Sequence, residues 1–349
     1  MKKKENFEDF LKENILILDG AMGTMIQKEK ISEEKFRGEI FRNLKKPLKG
    51  NNDILNLTCE KLIYEIHMEY LNAGADIIET NTFNSTKTSQ KDYGCENFSF
   101  DLNFNGGRIA RNAVDDYLKK NPKDFKFVAG VLGPTNRTCS MSPDVNNPGF
   151  RNITFDELKN DYKVSVDALV KSGVDFIMIE TVFDTLNAKA ALMAVTEIER
   201  KQKIKIPLFI SATITDLSGR TLSGQTIEGF YNSIIHSNPL VIGLNCALGP
   251  KELEPHLLEL DRISETYISI HPNAGLPNAF GGYDETPESM AKYVKTWSDN
   301  SYVNIVGGCC GTTPEHIKQM KEMTKNKSPR KPIKEKGNFR LSGLEAFNF

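Results

Sequence analysis

Eight short runs of β-forming apolar residues recur along the chain, at 15–19, 75–80, 127–131, 176–180, 208–213, 241–246, 267–271 and 302–307, with segments of helical spacing between them. That alternation points to repeated strand–helix units around a parallel sheet, because parallel neighbours need a crossover long enough to hold a helix. Several runs are apolar throughout instead of alternating, as strands covered on both faces are. Local punctuation agrees. Thr154 with Glu157 spells a capping box, Gly173 a helix stop, and Thr313-Pro314 the N-cap and first turn of the last helix.

Eight strands can close into a (β/α)8 TIM barrel or open into a doubly wound sheet. The barrel is favoured because polar or reactive residues end nearly every run: Asp19, Glu79, Glu180, Cys246, His271 with Asn273, and Cys309-Cys310. Closure would gather those ends on one rim, where barrel active sites lie. The expected plan is an α/β barrel over residues 1–325 and a basic, proline-containing linker tail over 326–349. Two stretches of weak periodicity, the long link between the first two strands (20–58) and 132–152, are expected as loops that line or cover the rim.

A net charge of −1 gives no footprint for nucleic acid or an anionic membrane. No apolar run approaches the roughly 18 residues of a membrane span. The Lys-rich start leads into Glu5-Asn6-Phe7-Glu8-Asp9, not into the apolar core of a signal peptide. Six cysteines in 349 residues make no disulfide scaffold, so a reducing cytoplasm is expected.

Three of those cysteines share a setting at glycine-flanked strand ends: Gly243-Leu244-Asn245-Cys246 and Gly307-Gly308-Cys309-Cys310-Gly311. Adjacent cysteines pair poorly with each other, since disulfide geometry needs separated Cα atoms. Only the seventh strand separates Cys246 from the pair, so three soft thiols can converge on one metal, which suits zinc and leaves a fourth position open. The competing reading is of small buried residues beside tight turns. A thiolate-rich zinc is a weak Lewis acid but a good seat for a substrate thiol, and that chemistry points to alkyl transfer onto sulfur.

Asp19-Gly20-Ala21-Met22-Gly23-Thr24 reads equally as an anion nest for a carboxylate or as a tight turn into the first helix. Glu180 or Asp19 would pair with an ammonium, whereas Glu79 suits a structural place inside the rim. Together these features describe a thiol amino acid as ligand.

The ordered set of motifs resembles the homocysteine-binding module of cobalamin-dependent methionine synthase, within the homocysteine S-methyltransferases. The matching stretches are Asp19–Thr24, Glu79-Thr80-Asn81-Thr82-Phe83-Asn84-Ser85-Thr86, Gly130–Thr138, Glu180–Ala190, Gly243–Pro250, His271–Phe280 and Gly307–Pro314. The resemblance implies that Cys246, Cys309 and Cys310 bind Zn2+ and that homocysteine's sulfur takes the fourth position. The zinc-bound substrate thiolate then attacks methylcobalamin, with no separate protein nucleophile. Glu180 and the loop Asp19, Gly20, Ala21, Met22, Gly23 and Thr24 would hold the amino-acid end. Asn273 is implied as the fourth metal position when substrate is absent.

The full synthase continues into folate-binding and corrinoid-binding modules, and this chain stops at Phe349 without the Asp-x-His-x-x-Gly pattern of the corrinoid module. The donor is therefore expected from a corrinoid-binding partner in cis or in trans. Two other readings stand beside it. One is a self-contained homocysteine methyltransferase using betaine or S-methylmethionine. The other is a zinc-stabilised docking module with no activity.

Overall fold

Each apolar run becomes a strand of one parallel sheet: β1 (Leu16–Ile17), β2 (Ile77–Glu79), β3 (Phe127–Leu132), β4 (Phe176–Val182), β5 (Leu208–Ala212), β6 (Val241–Asn245), β7 (Tyr267–His271) and β8 (Ile305–Val306). This computed structural model describes residues 4–215, 218–278, 282–334 and 339–349, and side chains from Phe7 onward. Ala279 and Phe280, which end the seventh-strand motif, lie outside the described residues. The strand order is β1-β8-β7-β6-β5-β4-β3-β2, and a parallel bridge from Leu18 to Ile77 joins the two end strands. The chain is thus a (β/α)8 barrel, with Cys246, Cys309 and Cys310 all just beyond strand ends.

Alternate residues of the strands enter two separate cores. Ile17, Ile78, Val128, Ile177, Ile210, Ile242, Ile268 and Val306 face the surrounding helices. Leu16, Leu18, Phe127, Phe176, Met178, Phe209, Val241, Tyr267 and Ile305 fill the barrel interior together with Phe7 and Leu11 of the N-terminal helix Lys4–Glu13. The Phe7 ring stacks on Phe176 at 4.9 Å and meets Phe127 edge-on at 4.7 Å, which plugs the mouth at the strand starts. A sealed lower mouth leaves the opposite rim for ligands.

Above this plug the interior turns small and then polar. A Cβ on Gly243 would lie 1.9 Å from Ser269 Oγ and 2.7 Å from the Ser269 carbonyl oxygen. Gly243→Ala is therefore expected to cost roughly 1–3 kcal/mol by overpacking, read as a lowered denaturation midpoint. A Ser269→Ala background should recover only part of it, because the carbonyl stays; an unchanged midpoint in the single variant would contradict this packing.

The helix signals hold. Thr154 and Glu157 form the capping box of the helix Phe155–Ser172, closed by Gly173 at φ 88°. Thr313 caps the helix Pro314–Thr324. The 20–58 link is more ordered than its weak periodicity suggests, with helices at Met22–Lys28, Glu33–Arg37 and Leu55–Thr58. Tertiary contacts hold it. The Glu33 carboxylate accepts from the N–H groups of Leu48 and Lys49 while pairing with Arg37 at 2.7 Å. Residues 133–152 form neither helix nor strand and are pinned by Asp184 and Asn187.

The tail expected as a linker packs back onto the barrel where it is described. Arg330 is buried and donates to Asp261, Ser264 and Thr266. A hairpin of β9 (Arg340–Ser342) and β10 (Ala346–Asn348) lies against the helix Ile227–Ile234, with Thr226 N–H on the Leu344 carbonyl. No helix among the described residues is long and apolar enough to cross a membrane.

Candidate active site

A cavity of about 350 Å³ opens at the rim, lined by Asp19–Thr24, Glu79, Glu180, Asn245, Cys246, His271, Tyr283 and Cys309-Cys310 among others. It lies within the size range of small-molecule sites. The three sulfurs of Cys246, Cys309 and Cys310 lie within 4.8 Å of one another, and Cys246 Sγ is 3.9 Å from Cys310 Sγ. Tetrahedral ligands at the usual Zn–S distance of about 2.3 Å would sit about 3.8 Å apart, so the trio fits one zinc ion.

Backbone geometry produces that convergence. Cys246 and Ala247 both adopt left-handed conformations, at φ 63° and 56°, a cost borne where the surroundings fix the chain. Here the Cys246 N–H donates to the His271 carbonyl at 3.1 Å. Cys309 N–H donates to the Pro272 carbonyl at 2.8 Å, and Cys310 N–H to Asn273 Oδ1 at 3.1 Å. Asn273 therefore braces the cysteine loop from beneath. Its Oδ1 keeps a second lone pair, so this bond is compatible with the expected place of Asn273 as a metal ligand.

Packed this closely, the thiols cannot ionise independently. Hydrogen bonds from Cys246 and Cys309 bring the Cys310 thiol down to about 3, while the same contacts hold Cys309 well above the ordinary thiol range. Burial instead pushes Cys95 and Cys139 up to about 11, the mark of inert packing thiols.

Gly20 and Gly23 are not in the left-handed region; the chain turns at Ala21 into the helix Met22–Lys28. The loop is the tight turn into a helix, whose first N–H groups lack intrahelical partners and border the cavity. Gly20 is needed for space: a Cβ there would come 2.7 Å from Thr312 Oγ1. Thr312 Oγ1 accepts from Ala21 N–H at 3.2 Å and donates to the Cys309 carbonyl at 2.6 Å. Thr24 Oγ1 accepts from Gly311 N–H at 3.0 Å. These bonds staple the Asp19–Thr24 loop to the cysteine loop.

Asp19, Glu79 and Glu180 meet at the acidic side of the cavity. Burial pushes Glu180 up to about 8, and burial likewise holds Asp19 and Glu79 well above the carboxylate range. Asp19 Oδ1 is buried without a partner, while Oδ2 accepts from Glu79 N–H at 3.1 Å. The described lining contains no lysine or arginine. A cation placed among these three carboxyls would favour their charged forms.

Two contributors, Asn245 and Tyr283, escaped the sequence reading, and His271, expected at the rim, lines the cavity there. Asn245 Nδ2 donates to Glu180 Oε2 at 3.0 Å while its Oδ1 accepts from Thr181 N–H and Ser211 Oγ, which fixes the carboxylate's direction. Tyr283 lines the cavity with Cys310, and its phenol favours the thiolate form of that sulfur. His271, pushed down to about 3 by burial, presents a neutral ring whose Nε2 has no partner. Only Asn245 carried a signal, its place beside Cys246.

A family model described as homocysteine S-methyltransferase matches residues 16–324. Among solved structures, the metallated form of the homocysteine methyltransferase MmuM from Escherichia coli superposes with a TM-score of 0.70 at 22% identity, covering 89% of this chain and 96% of that one. Its oxidized form gives the same TM-score and coverage at 21% identity.

Proposed function

The chain belongs to the homocysteine S-methyltransferase family, and on that footing we propose that it methylates the thiol of homocysteine to give methionine, with zinc on Cys246, Cys309 and Cys310 and methylcobalamin as donor. The observation that carries this reading is the convergence of three thiols, at zinc-compatible spacing, on a cavity that also holds an acidic cluster. When bound, zinc would supply a site that keeps a substrate thiol deprotonated at neutral pH.

The chain's own groups do the rest. The first N–H groups of the helix Met22–Lys28 take the substrate carboxylate. Glu180, aimed by Asn245 and backed by Asp19 and Glu79, takes the ammonium. Asn273 holds the Cys310 backbone in place, and the Tyr283 phenol favours its thiolate. Methylcobalamin would supply the methyl group: homocysteine's sulfur would provide the electron pair of the new S–CH3 bond, the pair of the broken bond would leave with the corrinoid, and the thiol proton would go to solvent. The corrinoid would be presented by a partner module in cis or in trans. A reducing cytoplasm would keep the six cysteines as the free thiols they are here.

Support for the corrinoid donor comes from the Asn81–Thr86 stretch and the long 20–58 link, both of which resemble the corrinoid-dependent branch. Zinc-loaded protein mixed with homocysteine and methylcobalamin is expected to shift the visible spectrum as the corrinoid is demethylated. Turnover with betaine or S-methylmethionine, and none with methylcobalamin, would reverse the donor assignment.

A further inference from the structure

We propose that the cavity wall facing Cys246, made by Gln27, Asn52, Phe83 and Asn84, is the donor subsite and recognises the peripheral carboxamides of a corrinoid; this rests on the donor reading above. The cavity is larger than its acceptor needs. A void of about 150 Å³ accepts a six-carbon ring, and homocysteine has only two more non-hydrogen atoms. The remaining volume, out of about 350 Å³, is bounded by residues with no part in holding zinc or the amino acid.

Topology puts that wall on the far side. In the order β1-β8-β7-β6-β5-β4-β3-β2, closed by the β1–β2 bridge, β2 and β6 stand four strands apart and so face each other across the barrel. Phe83 and Asn84 follow β2, whereas Cys246 follows β6. A donor carrying its methyl group to a sulfur at the cysteines therefore extends over the axis toward Phe83 and Asn84. A small donor would not bridge that distance; a broad macrocycle would.

The wall's chemistry is selective. The side-chain amides of Gln27, Asn52 and Asn84 make no hydrogen bond with the described residues, although all three residues border the same cavity. Their backbones are held. Asn52 O accepts from Asn81 Nδ2 at 2.9 Å, and Asn84 N–H donates to the buried Asp53 carboxylate at 2.9 Å. Gln27 and Asn84 are exposed and Asn52 half-buried, so these amide ends are open to a ligand over the cavity. A carboxamide offers both donor and acceptor, so it pairs reciprocally with another carboxamide. Corrinoids carry a fringe of such groups. Phe83, half-buried between the amides, adds an apolar face for the macrocycle edge.

The test uses the whole chain, zinc-loaded, with homocysteine and free methylcobalamin. The double variant Asn52→Ala/Asn84→Ala is expected to raise the KM for methylcobalamin about tenfold, the size of one good hydrogen bond to each lost amide. The KM for homocysteine and the zinc content should stay unchanged. A methylcorrinoid whose peripheral amides are hydrolysed to carboxylates should lose much of its rate with the parent chain and little further with the double variant. An unchanged methylcobalamin KM in the double variant overturns the subsite while leaving the donor reading standing. No demethylation of methylcobalamin by the parent chain overturns the donor reading and this inference with it.

Discussion

Cys246→Ala, Cys309→Ala and Cys310→Ala are each expected to strip the chain of most of its zinc and to lower methyl transfer by on the order of 10³-fold or more. Two separable effects combine. With a pKa near 8.5, a free thiol is only a few per cent thiolate at neutral pH, which by itself removes one to two orders of magnitude. The rest comes from losing a fixed place for the nucleophile relative to the methyl group. Metal analysis of the purified variants checks the first step and single-turnover rates the second. Stoichiometric zinc in all three variants would sink the site. The barrel itself should survive, because both cores lie below the rim and use none of these sulfurs. A large fall in melting temperature with intact thiol binding would instead favour a zinc whose work is folding.

The barrel was legible because strands buried on both faces leave continuous apolar runs, and all eight reappear within a few residues of their expected bounds. Their polar ends could then be assigned to one rim. The cysteines were legible because glycines flank them near two strand ends, although the sharp bend at the first falls on Cys246 and Ala247, and Gly243 serves packing inside β6. Side-chain pairing across the barrel was not legible. Thr312 meets Ala21 across 291 residues, and Asn245 meets Thr181 across 64. No local pattern encodes such partners, so Thr312, Asn245 and Tyr283 gained roles only from the structure. Gly20 shows the same limit in reverse. Its glycine suggested backbone freedom, yet its φ is ordinary and its reason is the neighbouring Thr312 side chain. The helices of the 20–58 link are short and are held by contacts distant in sequence, such as Glu33 with the Leu48 and Lys49 N–H groups, so periodicity could not reveal them.

Glu180→Gln should weaken homocysteine binding while leaving zinc in place, and the loss should grow with pH in a defined window. In the substrate-free chain burial holds the Glu180 carboxyl at about 8, against an ordinary 4.5. An ammonium beside it favours the charged form and pulls that value down. Between these two limits homocysteine binding must therefore expel a proton from Glu180 besides the one lost by the thiol. Glutamine removes the first proton and keeps the second. The affinity ratio of parent to variant is expected to rise by up to tenfold per pH unit from about 6 to 8 and to level off above, reaching on the order of 30-fold or more. Calorimetry in buffers of different ionisation enthalpy counts the protons directly; equal release by both proteins would remove Glu180 from the ammonium site. Stability without substrate should move the opposite way. A folded-state value raised above the unfolded one means that the native chain binds the extra proton, so stability falls as pH climbs from about 4.5 through about 8. Glutamine has no proton to lose, and the substrate-free variant should outlast its parent on heating at pH 9. A residue that weakens the fold in order to bind substrate is placed for function, and Glu180 is expected to show both halves of that exchange.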